Sequence, residues 1–235
     1  VAGWSGHARA VAIQGDGKVV AAGDTSFNGG YCCRLAMVRY NADGSLDPSF
    51  DGDGKLLSEI AFYAEGVAIQ DDGRIVVAGT WDGWPERGFI VARFNSDGTP
   101  DTSFGVDGAF EVSFGSLEAA VGGMALAPDG KIVVVGSYGS TFGGATVDIA
   151  IARLNADGSL DATLGGDGTV TTTIGGTEGR ARAVAVHPDG RIVVAGSSRL
   201  LRYSADGSLD PDFGDGGVAM IPNATWGYGL ALQPD

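Results

Sequence analysis

The chain has 235 residues, of which 44% are hydrophobic, and carries a formal net charge of −14. That acidic balance excludes a nucleic-acid surface, which needs clustered Lys and Arg, and argues against binding to anionic membranes. No apolar run approaches the roughly 18 residues of a membrane-spanning helix, and the 41 glycines are spread along the chain as turn residues rather than run together as in disorder.

In chain order, Val11-Ala12-Ile13 is a short apolar run, Gly15-Asp16-Gly17-Lys18 has turn chemistry, and Val19-Val20-Ala21-Ala22 is a second strand ending at Gly23. A variable loop from Asp24 to Cys33 precedes a third strand and an Asx-rich loop, AMVRYNADGSLD (Ala36 to Asp47). The phrase then returns. Asp-Gly turns recur at Asp72-Gly73, Asp129-Gly130 and Asp189-Gly190, followed by IVARFNSDGTPD (Ile90 to Asp101), AIARLNADGSLD (Ala150 to Asp161) and LLRYSADGSLD (Leu200 to Asp210). In the third copy Ile132 to Val135 is β-branched throughout, Asp148 to Leu154 alternates, and a fourth strand is expected near Thr169 to Thr173. No segment sustains the 3.6-residue period of a helix.

Four short antiparallel strands per unit, repeating about every 50–60 residues, predict an all-β β-propeller. We expect about five blades: repeats at 7–62, 63–119, 120–179 and 180–225, and a partial blade from 226–235 with 1–6. Tyr228 to Pro234 reads as a first strand, and Val1-Ala2-Gly3-Trp4 matches the strand end Val77-Ala78-Gly79-Thr80. Alternatively the chain is part of a longer array, or two copies complete one another as a homodimer. The two cysteines, Cys32 and Cys33, are adjacent. They suit neither an ordinary disulfide nor a zinc site, and read as small hydrophobes.

The phrases VAIQGDGKVVAAG, VAIQDDGRIVVAG and VAVHPDGRIVVAG, each followed by RYNADGSLDPSF or a variant, resemble the delta-60 repeat proteins. The resemblance covers nearly the whole chain. It implies a bacterial β-propeller-like array that is secreted or surface-associated, and it carries no catalytic residues.

Two readings of the Asx loops are open. Their acidic spacing (Asp43, Asp47, Asp97, Asp101, Asp157, Asp161, Asp206 and Asp210) admits calcium or another divalent metal, although the terminal bidentate Glu of an EF-hand is missing. The same residues also cap their own backbone in Asx turns. The recurring Arg39, Arg93, Arg153 and Arg202 are expected to pair with Asp47, Asp101, Asp161 and Asp210 as braces.

Repeated residues explain a scaffold, so specificity should lie where the repeat breaks. In a propeller blade the loops between second and third strands share a face with the blade-to-blade connections. Here that face gathers Trp4, Trp81, Trp84, Trp226, Tyr31, Tyr63, Tyr138 and Tyr228. Such a set reads either as a binding surface or as hydrophobic plugs. Aligning the innermost strands gives one column holding Arg9, Glu65, Gly122, Arg182 and Tyr228. A second, two residues earlier, holds His7, Tyr63, Ala120, Arg180 and Trp226. By strand alternation both columns should look into the mouth of a channel. His187 replaces Gln14 and Gln70 of other repeats and reads as structural. The expected function is a secreted module holding a small molecule, glycan or protein at this face. The alternative is a hydrolase of esterase, lactonase or phosphotriesterase type, with His7, Arg9, Glu65 and Arg182 doing acid–base work and oxyanion stabilisation. No GxSxG or HExxH motif supports the alternative.

Overall fold

The computed structural model describes residues 4–27, 33–83, 86–115, 118–139, 147–174, 179–222 and 229–233. Its described residues contain no helix and sixteen strands. Blade 1 comprises β1 (Trp4–Ile13), β2 (Val19–Phe27), β3 (Cys33–Tyr40) and β4 (Lys55–Leu57). Blade 2 comprises β5 (Tyr63–Ile69), β6 (Ile75–Gly83), β7 (Glu86–Phe94) and β8 (Ala109–Val112). Blade 3 comprises β9 (Ala119–Leu126), β10 (Ile132–Tyr138), β11 (Asp148–Leu154) and β12 (Thr169–Thr172). Blade 4 comprises β13 (Ala181–Val186), β14 (Ile192–Gly196), β15 (Arg199–Tyr203) and β16 (Val218–Met220). In each sheet the strands lie side by side in chain order.

The strands run further into the variable loops than the sequence suggests: β2 reaches Phe27 and β6 reaches Gly83. Trp4–Gly6, expected in the closing blade, form the start of β1 and pair with Phe27, Ser26 and Thr25. Extending β2 supplies the ladder partners that draw them there. Gly229–Gln233, the described part of the expected first strand of that blade, carry no strand.

The Asx loops fold as the capping reading requires. Asp43 Oδ1 accepts from the Ser45 amide at 2.9 Å and hydroxyl at 2.6 Å, and Asp97, Asp157 and Asp206 repeat the pattern on Thr99, Ser159 and Ser208. Glycine follows each of these aspartates because the turn needs positive φ, as at Gly44 (84°). All four braces are present. The Nε of Arg39, Arg93, Arg153 and Arg202 donates to Asp47, Asp101, Asp161 and Asp210 at 2.7, 2.7, 2.6 and 2.7 Å. Arg39, Arg93 and Arg202 also stack over Phe50, Phe104 and Phe213. Repeat three has Leu164 at the position of those rings.

The chain divides into two compact units, Val1–Gly83 with Ile90–Glu111 and Trp84–Phe89 with Val112–Asp235. In the first, Val20, Ala22, Leu35 and Met37 of blade 1 pack against Ile75, Val77, Ile90, Ala92 and Phe94 of blade 2. In the second, Val133, Val135, Ile149 and Ile151 of blade 3 pack against Ile192, Val194, Leu201 and Tyr203 of blade 4. Joints between blades within a unit reuse one device. Arg39 donates to the Ser96 carbonyl and Arg153 to the Ala205 carbonyl, while the Asp51 and Gly165 amides donate to the Asp97 and Asp206 carbonyls.

Tyr203 is fully buried and its hydroxyl donates to Thr172 at 3.0 Å. Burial pushes its phenol up to about 12, against about 10 in the unfolded chain. Folding therefore favours the protonated phenol. This contribution is complete below about pH 10 and is lost as the pH rises towards 12. Denaturant midpoints should fall over that window. Tyr203→Phe should flatten the fall while costing about 1 kcal/mol at neutral pH for the lost hydrogen bond.

Candidate functional site on the variable face

The innermost strand of every blade carries a bulge at the same place. The register skips Arg9 between Ala8 and Ala10, Glu65 between Ala64 and Gly66, Gly122 between Val121 and Gly123, and Arg182 between Ala181 and Ala183. The first column of non-repeating residues is thus the column of bulged residues. A bulge interrupts alternation and re-aims a side chain. Strict alternation is therefore not what orients the two columns. In blades 2 to 4 burial still groups them: Ala64, Val121 and Ala181 between the columns are buried, whereas Ala120 and Arg180 are exposed and Tyr63, Glu65 and Arg182 half-buried; in blade 1 Ala8 is exposed like His7 and Arg9.

A glycine in each second strand, opposite the bulge, makes room for it. A Cβ on Gly23, Gly79, Gly136 or Gly196 would stand 1.8, 2.0, 2.0 or 2.2 Å from the carbonyl oxygen of His7, Tyr63, Ala120 or Arg180. The glycines of the repeated AAG, VAG and VVG triplets are therefore requirements of the neighbouring strand.

In the first unit the structure brings His7, Arg9 and Glu65 together around Asp24, a residue the sequence reading left out of the site. Arg9 Nε donates to the buried Asp24 carboxylate at 2.5 Å and Nη1 to Glu65 at 3.2 Å, tying blade 1 to blade 2. His7 Nδ1 stands 4.0 Å from Asp24 with its side chain 75% exposed. That is ion-pair range but too long for the hydrogen bond that orients a general base. Asp24 could have been found from its place just after Gly23 in β2, paired with His7 across the ladder.

In the second unit a cavity of about 170 Å³ opens on the variable face. Its walls are Arg87 of β7, Glu118 and Ala120 at the start of β9, Ser137 of β10, Val147, and Arg180 before β13. Two arginines thus share with Glu118 the lining of a small, partly apolar hollow in a strongly acidic chain. Arg87 escaped the sequence reading because it follows the variable Asp82-Gly83-Trp84-Pro85 stretch and matches no column.

The expected aromatic residues divide. Trp81 is half-buried and packs on the core of the first unit, so it plugs. Tyr138 packs on Phe114 at 5.8 Å, which meets Phe89 edge-on at 4.8 Å. Tyr63 is half-buried on β5. Trp84, Trp226 and Tyr228 lie outside the described residues, as do Tyr31 and Cys32, and the side chains of Trp4 and Cys33 lie outside them too.

A cavity of about 620 Å³ lies on the repeated face between the turns at Asp129 and Asp189. Its charges are already matched: Lys131 bridges Asp129 and Asp161 at 3.1 and 3.2 Å, and Arg153 is held by Asp161. A smaller counterpart of about 370 Å³ recurs at Asp16, Lys18, Arg39 and Asp97, which marks the feature as part of the scaffold. The aspartates considered for calcium are engaged by hydroxyls, amides and arginines. Asp47, for example, is drawn down to about 2, first by the Ser49 hydroxyl against its burial, then by the Ser49 amide and Arg39. Among the described residues no three His, Cys, Asp or Glu side chains gather at metal-binding range.

A family model described as a domain of unknown function (DUF5122) beta-propeller matches residues 14–50, 70–104, 127–164 and 187–213. The chain belongs to the DUF5122 β-propeller family. The matched segments span the repeated turns, the second and third strands with the variable loops that join them, and the Asx loops; the innermost and fourth strands and the blade connections fall outside them. The delta-60 designation stays a resemblance. No curated protein matches the chain. Among solved structures, a candidate gluconolactonase is 15% identical with a TM-score of 0.44, covering 92% of this chain and 63% of its own. Streptogramin B lyase is 11% identical at 0.47, covering 88% and 57%. A gluconolactonase from Xanthomonas campestris is 14% identical at 0.45, covering 94% and 78%. This DUF5122 chain thus spans less than two thirds of the first two.

Proposed function

We propose that the chain is a ligand-binding propeller module whose variable face takes a small molecule carrying an acidic group. The supporting observation is the hollow lined by Arg87 and Arg180, with Glu118 beside them, built from residues that break the repeat. Arginine suits carboxylate and phosphate because its planar fork can donate two parallel bonds. The apolar walls at Ala120 and Val147 would receive the remainder of the ligand. The resemblance to secreted repeat proteins supports an extracellular setting.

Calorimetry with inorganic phosphate, citrate and a hexose phosphate, beside a neutral oligosaccharide, tests the reading. We expect the acidic probes to bind and the Arg87→Ala/Arg180→Ala double variant to bind them at least about tenfold more weakly. Binding of the neutral glycan alone, unaffected by the double variant, would overturn it. Turnover of an ester, lactone or phosphotriester that vanishes in His7→Ala would establish the hydrolase instead.

A further inference from the structure

The hollow at Arg87 and Arg180 carries both signs of charge, and all of its lining belongs to the second compact unit. Glu118 stands half-buried on its wall, where blades 1 and 2 have Ser5 and Ala61. Its backbone is fixed. The Gly139 amide donates to the Glu118 carbonyl at 2.9 Å, one step beyond the last pair of the β9–β10 ladder, Ala119 with Tyr138. Arg180, where blades 1 and 2 have His7 and Tyr63, is placed from the other side. A Cβ on Gly179 would stand 1.9 Å from the Val147 carbonyl oxygen, so glycine there lets the chain pass close enough to set Arg180 beside the Val147 wall.

Among the described residues, neither the Glu118 carboxylate nor the Arg180 guanidinium has a hydrogen-bond or ion-pair partner. They line one cavity of about 170 Å³ without pairing with each other. Two opposite charges held apart across a small hollow are matched by a ligand that carries both charges itself. At roughly 30 Å³ per water, the hollow has the volume of about six waters. A small free amino acid fills that space, whereas a sugar ring would protrude.

We propose that the ligand of this site is a free α-amino acid with a small apolar side chain. The proposal rests on the acidic-group reading above and narrows it. The carboxylate would lie on Arg180 and Arg87, the ammonium on Glu118 with Ser137 beside it, and the side chain against Ala120 and Val147. One exposed ion pair contributes little. The selectivity comes from meeting both charges at one spacing: an acid without the ammonium would share the hollow with an unanswered carboxylate.

Calorimetry tests this by comparing L-alanine with propionate, which lacks the ammonium, and with alaninamide, which lacks the carboxylate. Alanine should bind at least about tenfold more tightly than either, and L-tryptophan, too large for the hollow, at least about tenfold more weakly than alanine. Glu118→Gln should erase the advantage of alanine over propionate while propionate binds no worse than to wild type. Glu118→Ser, which installs the blade 1 residue, should do the same. Arg180→Ala should weaken alanine and propionate together. Equal binding of alanine and propionate to wild type, an advantage that survives both Glu118 variants, or tryptophan binding as tightly as alanine would overturn the proposal and leave the acidic-group reading standing. No binding of alanine, propionate or phosphate would overturn both. Circular dichroism melts of each variant establish that the blades remain folded.

Discussion

Gly136→Ala is expected to cost about 3–5 kcal/mol, among the largest losses from one added methyl group. The new Cβ would stand 2.0 Å from the Ala120 carbonyl oxygen and 2.9 Å from the Phe89 ring. Neither neighbour can yield easily. The carbonyl belongs to the bulged innermost strand, and Phe89 is fully buried. Gly79→Ala should behave alike, since its Cβ would meet the Tyr63 carbonyl oxygen at 2.0 Å and the Phe62 ring at 2.6 Å. Gly15→Ala is the control: nothing lies within 4 Å of its Cβ, and its stability should stay within about 0.5 kcal/mol of wild type. Urea midpoints at constant slope read all three. If Gly136→Ala unfolds with Gly15→Ala, the close approach of β10 to β9 does not exist in solution.

The second large effect is expected at Arg153. Its guanidinium donates to Asp161 at 2.6 Å, to the Ala205 carbonyl at 2.7 Å and to Thr163 at 2.9 Å. Arg153→Ala should cost about 3 kcal/mol, because it leaves a buried carboxylate short of its main counterion and a loop carbonyl without its donor. Lys131, 3.2 Å from Asp161, limits the loss. Burial works against the charge on Asp161, but the Thr163 hydroxyl and amide, Lys131 and Arg153 together hold its carboxyl well below the usual carboxylate range. The brace is therefore complete above about pH 4 and weakens only as acid titrates that carboxyl. Arg153→Lys should rescue little, since an ammonium cannot span all three acceptors with a planar fork. Arg202→Ala should cost less, because Arg202 makes no bond to a following blade among the described residues. Equal losses at Arg153 and Arg202 would show that the joint between blades contributes nothing.

The scaffold was legible because its chemistry is local and repeated. Asp-Gly turns, β-branched strands and an Arg eight residues before its Asp are each readable within a dozen positions, and all recur in the structure. The bulge was not legible. A bulge is a mismatch between two strands, and the innermost strand alone reads as ordinary alternation. The glycine recurring in each second strand was a visible clue, which the sequence reads only as a terminator. The site was half legible for a related reason. His7, Arg9 and Glu65 stood out as breaks in a column, whereas Asp24 and Arg87 lie in stretches of unequal length that the sequence reads as loops and the structure extends as strands β2 and β7, so no column could be drawn. Their proximity to the other residues comes from the pairing of β1 with β2 and from the walls of the small cavity.

The acceptors in the joints between blades are main-chain carbonyls of the Asx loop, not side chains. A joint of this kind asks nothing of its neighbour's identity beyond the turn itself. Genes encoding such arrays can therefore gain, lose or reorder units by recombination without inventing a matching contact each time. The lineage is free to vary blade number as readily as it varies loop sequence.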